Sequence, residues 1–327
     1  MEMDVDTILS QVDDKISKAV TATTYTMSPP TRSIYSPENL DPVIKHLVPT
    51  TAPVRNIFPR TAGFGQIATW RKLTSRLDPQ AGGTGTRVGF ADAGTPSSTT
   101  QTYSLATAAY KNLGRDVEIG RQQIANNRGS ALEDVRMHEE KIKALEVVLG
   151  EEDCILNGDT VTTSTEFDGL AKSITTNSGS ASLLTSSGVS SYAQTLYTAG
   201  ADNPTHLVCS ARENRALADD LQGSGSIQRI VVDNQGSAQG GVHLSEIVNA
   251  VSGSMIKIVT SRYVGAYAYL LTVTDLSGEN WVEMEDLESM SVYDVPTANH
   301  SLVSRVYETC VLKVIGEPFQ YKISGLA

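Results

Sequence analysis

One long amphipathic helix dominates what this chain can fold into. Ser130-Ala131-Leu132-Glu133 has the form of a capping box, serine at the N-cap and glutamate three residues on. Leu132, Val135, Ile142, Leu145, Val148 and Leu149 then follow at steps of three and four. The pattern continues to Ile155 and Leu156, and Asn157-Gly158 stops it. The spacing predicts a helix over residues 130–157, roughly 27 residues and ~40 Å long. Any fold for this chain has to carry that rod in its middle.

Upstream of the rod, residues 61–120 read as a β-hairpin. Thr61-Ala62-Gly63-Phe64-Gly65 leads into a strand-like run through Trp70. Residues 80–96 hold Gly82, Gly83, Gly85, Gly89 and Gly94, and residues 99–113 return with Tyr103, Leu105 and Thr107 in alternation. Strand, glycine-rich tip and strand make a long hairpin with almost no core material at its end, so it projects from a monomer. Before it, seven of the chain's 12 prolines stand at Pro29, Pro30, Pro37, Pro42, Pro49, Pro53 and Pro59. Proline removes donors and blocks regular helix and sheet. The same segment holds Ile34, Tyr35, Leu40, Val43, Ile44, Leu47, Val48, Val54, Ile57 and Phe58, too apolar a set for a linker. An extended arm lying on a surface is expected. At the start, Val5, Ile8, Leu9, Val12, Ile16 and Val20 form a helical stripe on a helix too short to stand alone, so it has to dock.

Downstream, 18 of the 39 residues over 160–198 are serine or threonine, which favours loops and short strands. Short strands and helices then alternate. Residues 205–209 read as a buried strand, Ser210 opens a helix running to Leu221, and further strands fall at 255–260, 266–274 and 289–293. Residues 304–315 and 318–323 read as two last strands or one broken one. The class is α+β, and 327 residues allow about two domains or one elaborate one.

Composition narrows the function. Charged residues are 19% of the chain, and the formal net charge is −11, which disfavours a dedicated nucleic-acid reader. The most apolar uncharged run, residues 263–274, is 12 residues long, against the ~20 that a spanning helix needs. The opening Met1-Glu2-Met3-Asp4-Val5-Asp6 is acidic, so no secretory signal is expected. Cys154, Cys209 and Cys310 are far apart, which suggests neither a disulfide framework nor a zinc site and fits a reducing cytoplasm.

Sequence motifs for catalysis are missing too. There is no P-loop and no G-x-S-x-G elbow. Gly63-Phe64-Gly65-Gln66-Ile67-Ala68 precedes a strand rather than opening a helix, so it reads as a turn. None of His46, His138, His206, His243 and His300 lies at metal-ligand spacing from another, and His206 reads as a hydrogen-bonded strand residue. The run Glu283-Met284-Glu285-Asp286-Leu287-Glu288 lacks the pattern of a calcium loop, and reads as a solvated face or a charge patch between subunits. No catalytic, cofactor-binding or metal-ligating residue is expected, and the chain is not expected to be an enzyme. Charge does segregate. Residues 61–129 carry a net +4, and residues 130–172 hold four basic residues against eleven acidic ones.

Taken in order, these parts resemble the major capsid proteins of tailed bacteriophages, the HK-ninety-seven-like family. The local wording that carries the resemblance is Val54-Arg55-Asn56-Ile57-Phe58-Pro59-Arg60 before the hairpin and Leu156-Asn157-Gly158-Asp159-Thr160 at the helix exit. Phe167-Asp168-Gly169-Leu170 and Pro204-Thr205-His206-Leu207-Val208 with Ser210-Ala211-Arg212 complete it. The resemblance implies an arm over 1–60, an extended loop over 61–120, and a peripheral domain over 121–199 carrying the spine helix. It implies an axial domain over 200–295 and a return to the peripheral domain over 296–327.

For function, the resemblance implies self-assembly into hexamers and pentamers that form an icosahedral head shell around packaged double-stranded DNA, through ring-closing contacts. It implies a virion component assembled in the host cytoplasm. Its partners would be portal, scaffolding and decoration proteins, with non-specific contact to DNA and no membrane. The charge segregation suggests that Arg71, Lys72, Arg76 and Arg87 of the hairpin face Glu133, Glu139, Glu140, Glu146, Glu151 and Glu152 of a neighbouring spine helix. The loop tip over 80–96 has Arg87 but no lysine, so no Lys–Asn crosslink is expected. The charge of −11 then describes a container wall that does not grip DNA. An encapsulin compartment is the nearest rival, followed by an enzyme with an unrecognised site and a surface adhesion or tail protein.

Overall fold

The computed structural model describes residues 51–326, except 76–89, 91, 96–101, 128–134, 202, 224–229, 233–237, 241–243, 276–277 and 298. The stripe over 5–20, nearly all of the arm, most of the glycine-rich tip and the capping box at Ser130–Glu133 lie outside the described residues.

A first sheet has four strands in the order β1 (Arg60–Ala62), β12 (Val282–Val295), β13 (Ser301–Val314) and β4 (Lys111–Gly120). β1 runs parallel to β12, and the other pairs are antiparallel. After a short helix α1 (Arg121–Asn127), the spine helix α2 (Val135–Asn157) lies along β4 and β13. Alternation explains the fit. Ser304, Val306, Glu308 and Cys310 of β13 are buried on the side of α2, while Arg305 and Tyr307 point the other way. The helix answers with Val147, Glu151, Glu152, Ile155 and Leu156, spaced so as to share one face.

A second sheet has six strands, ordered β5 (Ser178–Ser180), β14 (Tyr321–Ser324), β11 (Ala268–Leu271), β6 (His206–Cys209), β10 (Met255–Thr260) and β9 (Glu246–Val248). Helices α4 (Ser186–Ala199) and α5 (Ala211–Gly223) pack beside it. Tyr269 and Leu271 of β11 join one apolar cluster with Ile155, Leu156 and Phe167, whereas Ala268 and Leu270 join another with Leu196 and Leu217. Both faces of the strand are covered, which is why it reads as continuously apolar rather than alternating. The start of α4 is stapled to α5. The Ser186 N–H and hydroxyl both donate to Asp220, at 2.8 and 2.7 Å, which places a carboxylate at the positive end of α4. A small pair, β7 (Ile230–Val232) and β8 (Ala238–Gly240), stands apart from both sheets.

The exit of the spine helix explains two glycines. Gly158 N–H donates to Cys154 O at 2.9 Å, and Gly169 N–H, just before α3 (Leu170–Ser173), donates to Gly158 O at 2.8 Å. A Cβ on Gly158 would meet Phe167 O at 2.2 Å, and one on Gly169 would meet Cys154 O at 2.5 Å. Two backbone segments cross here in direct contact, so the Asn-Gly-Asp and Phe-x-Gly-Leu wording is a packing requirement. Gly158→Ala should cost about 3 kcal/mol, because the opposing atoms are backbone and cannot rotate away. Urea denaturation of the unassembled subunit measures it, and a loss under ~0.5 kcal/mol would show that the crossing can open.

Several boundaries differ from the sequence reading. The hairpin pairs β2 (Ile67–Ser75) with β3 (Thr102–Ala109) only, and from Lys111 onward the chain leaves it to pair with β13. Tyr110, anchored to Glu285, marks the change. Residues 178–199 already belong with the second sheet, residues 282–295 lie in the first, and the last strand returns to the second, between β5 and β11. Periodicity shows that a segment is a strand, but not which strand it pairs with. Among the described residues no helix is long and apolar enough to cross a membrane.

Candidate functional site

The β2–β3 hairpin has two unlike faces. Ala68, Trp70 and Lys72 turn toward the body: Trp70 Nε1 donates to Val314 O at 3.2 Å, and Lys72 Nζ lies 3.9 Å from Glu317. Directly opposite residues share a face, and the register pairs Ile67 with Ala109 and Arg71 with Leu105. That outer face carries Ile67, Arg71, Tyr103 and Leu105, with Leu105 71% exposed, and Phe64 just before the strand is 86% exposed. A cavity of about 480 Å³ runs under the stem. Its lysines are occupied: Lys111 Nζ donates to Ser164 O at 2.6 Å, and Lys172 pairs with Asp159 at 3.2 Å.

The acidic residues expected to receive a neighbour's hairpin are mostly engaged inside the subunit. Glu140 accepts from Arg136 at 2.7 Å and from the Ser304 hydroxyl at 2.7 Å. Glu146 accepts from Lys143 at 3.0 Å and lies 3.8 Å from Arg115. Glu151 and Glu152 are fully buried, which corrects their expected place on an outer surface: they sit on the apolar stripe of α2, where only intrachain partners reach them. Glu139 and Arg71 have no charged partner among the described residues. Arg76, Arg87 and Glu133 lie outside the described residues.

Glu151 and Glu152 are instead the centre of a buried charge junction. Arg55 and Arg60 both donate to Glu151, and Arg60 also donates to both oxygens of Asp286, at 3.0 and 2.9 Å. Glu152 accepts from the N–H of Val54 at 3.1 Å and from the Ser261 hydroxyl. Burial raises the Glu152 carboxyl, and these hydrogen bonds oppose the rise. Burial, then the nearby charge of Glu151, pushes Glu308 up to about 8 against the pull of Arg55 and Arg60. Farther along β13, Lys313 is held between Glu283 at 2.7 Å and Glu285 at 2.6 Å. The acidic run over 283–288 is therefore neither a solvated face nor an intersubunit patch over its first half. It is a strand whose inward carboxylates clasp one lysine. Glu151, Glu308 and Cys310 are the described groups that could hold a metal ion, with ligand atoms within 4.8 Å of one another. His206 is half-buried with Nδ1 2.9 Å from Thr205 Oγ1, and burial lowers its pKa.

Sequence reasoning missed Arg55, Arg60, Asp286, Glu308 and Lys313. A signal was present: two carboxylates at 151 and 152 lie on the same helical stripe as Ile155 and Leu156, and a buried carboxylate needs a cation.

A sequence model of the family described as SU10 major capsid protein matches residues 17–316. The chain belongs to that family. This capsid protein also shares its fold with solved shell subunits. The encapsulin of Synechococcus elongatus, in a holo-encapsulin complex, is 12% identical with a TM-score of 0.59, over 87% of this chain and 92% of that one. The capsid of an empty gene-transfer-agent (GTA) particle is 11% identical with a TM-score of 0.57, over 89% and 95%. Microbacterium phage Oxtober96 gives 12% and 0.56, over 88% and 95%. No relative was found among curated protein sequences. The capsid protein thus has the HK-ninety-seven-like α+β fold, and its work is that of a head-shell subunit of a virion, a structural role.

Proposed function

We propose that copies of this capsid protein close into hexamers and pentamers of an icosahedral head that holds double-stranded DNA, built in the host cytoplasm with separate portal, scaffolding and decoration proteins. The observation that carries the reading is the outer face of the β2–β3 stem. Ile67, Tyr103 and Leu105 stand exposed on a ribbon whose other face is already spent on the subunit's own body. Such a face gains burial only against a second copy, in a head-to-tail contact that rings can close. Arg71, with Arg76 and Arg87 next in the chain, would then meet acids of the neighbour such as Glu133 and Glu139, steering the docking more than strengthening it.

Negative-stain microscopy of the expressed chain tests this. Shells or capsomer rings are expected from the natural sequence. Leu105→Asp should leave a folded subunit with stability within about 0.5 kcal/mol and no closed shells. Normal shells from Leu105→Asp would remove the hairpin face from the assembly. The likeness to an encapsulin supports a second reading, a compartment for protein cargo. Particles recovered from the native source decide it: nuclease-protected double-stranded DNA supports the phage head, and protein cargo without DNA supports the compartment.

A further inference from the structure

The chain contains one Asn-Gly pair, Asn157-Gly158, and one Asp-Gly pair, Asp168-Gly169, and the fold brings both to the same backbone crossing. Such pairs are the most prone to succinimide formation, because glycine puts no Cβ in the way of the attack. The glycine nitrogen gives its proton to solvent base and attacks the side-chain carbonyl carbon. A C–N bond closes a cyclic imide, and the asparagine side-chain nitrogen leaves as ammonia. Water then opens the ring, giving aspartate or isoaspartate. An aspartate before glycine reaches the same imide by losing water.

The crossing holds each group this reaction needs. Gly158 N–H donates to Cys154 O at 2.9 Å, and the Asn157 amide donates to Asp153 at 2.8 Å and to Tyr263 O at 2.6 Å. Gly169 N–H donates to Gly158 O at 2.8 Å, and one Asp168 oxygen accepts from the Thr160 N–H and hydroxyl at 2.9 and 2.7 Å. Asn157 ends α2, so its backbone is held in the helical region, whereas the attack needs a rotation that brings its side-chain carbon over the next nitrogen. Its side chain is exposed, so solvent base and water reach it and geometry alone protects it. The glycines cannot be exchanged for slower residues, because a Cβ on either would meet backbone at 2.2 or 2.5 Å.

We propose that Asn157 is a modification site gated by this crossing. It is inert while the crossing is closed, is converted to isoaspartate in a subunit whose crossing has opened, and cannot then be closed over again. An isoaspartyl linkage adds a methylene to the main chain beside Gly158, which lies between the carbonyls of Cys154 and Phe167 with no room to spare. Opening is a local fluctuation, so the rate in the folded protein is the free-peptide rate scaled by the open fraction. Asp168 is the second site behind the same gate.

Peptide mapping with electron-transfer fragmentation reads isoaspartate at position 157. In the folded natural subunit at pH 8 it should form at least about tenfold more slowly than in a synthetic peptide spanning residues 151–163. Equal rates overturn the proposal. Phe167→Ala empties space beside the crossing and should speed the reaction at least about fivefold. Leu217→Ala removes an equally buried side chain from the other apolar cluster and should change it by less than about twofold. The same rise in both variants, or a rise in neither, overturns the proposal. A further measurement needs no variant. Natural chains aged in urea and then diluted should give a folded fraction with at least about fivefold less isoaspartate at position 157 than the fraction that fails to fold. Equal content in the two fractions overturns the proposal.

Discussion

Phe167→Ala is expected to lower the unfolding free energy of the subunit by about 4 kcal/mol. The ring is fully buried in the apolar cluster with Ile155, Leu156, Leu170 and Tyr269, where the end of the spine helix meets both sheets. The cost of deleting such a side chain depends on whether its surroundings can close over the gap. Here they cannot. The Gly169 N–H bond to Gly158 O, at 2.8 Å, pins the segment two residues after Phe167, and its carbonyl lies against the Gly158 backbone. Denaturant titration of unassembled subunits measures the loss. A value below ~1.5 kcal/mol would mean that the crossing relaxes and the glycines are not locked together. At equal protein concentration the variant should also give fewer shells, because a subunit that unfolds more often is withdrawn from assembly by mass action.

The spine helix and the hairpin were legible in the sequence because each is a local pattern. Leu145, Val148, Leu149, Ile155 and Leu156 repeat at helical spacing, and the helix ends at Asn157 as the Asn-Gly signal predicts. The two glycines of the helix exit were legible as wording, and the structure supplies the reason for them, a backbone crossing. What was not legible depends on pairing across long sequence separations. Nothing local tells β4 to leave the hairpin and join β13, or β14 to return beside β5. Both pairings join segments far apart in the sequence, β4 with β13 and β14 with β5 and β11. The charge reading misplaced Glu151 and Glu152 for the same reason. Summed by segment, the acids of α2 look like a surface waiting for a neighbour. Placed on the helix, Glu151 and Glu152 fall on the inner stripe, and their partners come from residues 54–60 and Ser261. Net charge by segment does not distinguish an outward carboxylate from an inward one, whereas helical phase does.

That correction has a measurable consequence. Arg60→Met keeps much of the volume of the side chain and removes its charge, leaving Glu151, Glu152, Asp286 and Glu308 around Arg55 alone. Breaking a buried pair by removing one partner leaves an uncompensated charge, and the expected loss is about 3–5 kcal/mol at pH 8. The sign of the pH dependence is fixed. The stranded group is negative, so protonation relieves it, and the loss should fall to less than about half at pH 5. Were Glu151 an intersubunit contact, the variant would leave subunit stability intact and weaken only the closure of shells. Denaturant titrations of the unassembled subunit at the two pH values separate these outcomes. A loss under ~1 kcal/mol at pH 8, or an equal loss at both pH values, would place the function of Glu151 between subunits. The larger, pH-dependent loss places it inside the subunit, where it fixes how residues 54–60 enter the fold.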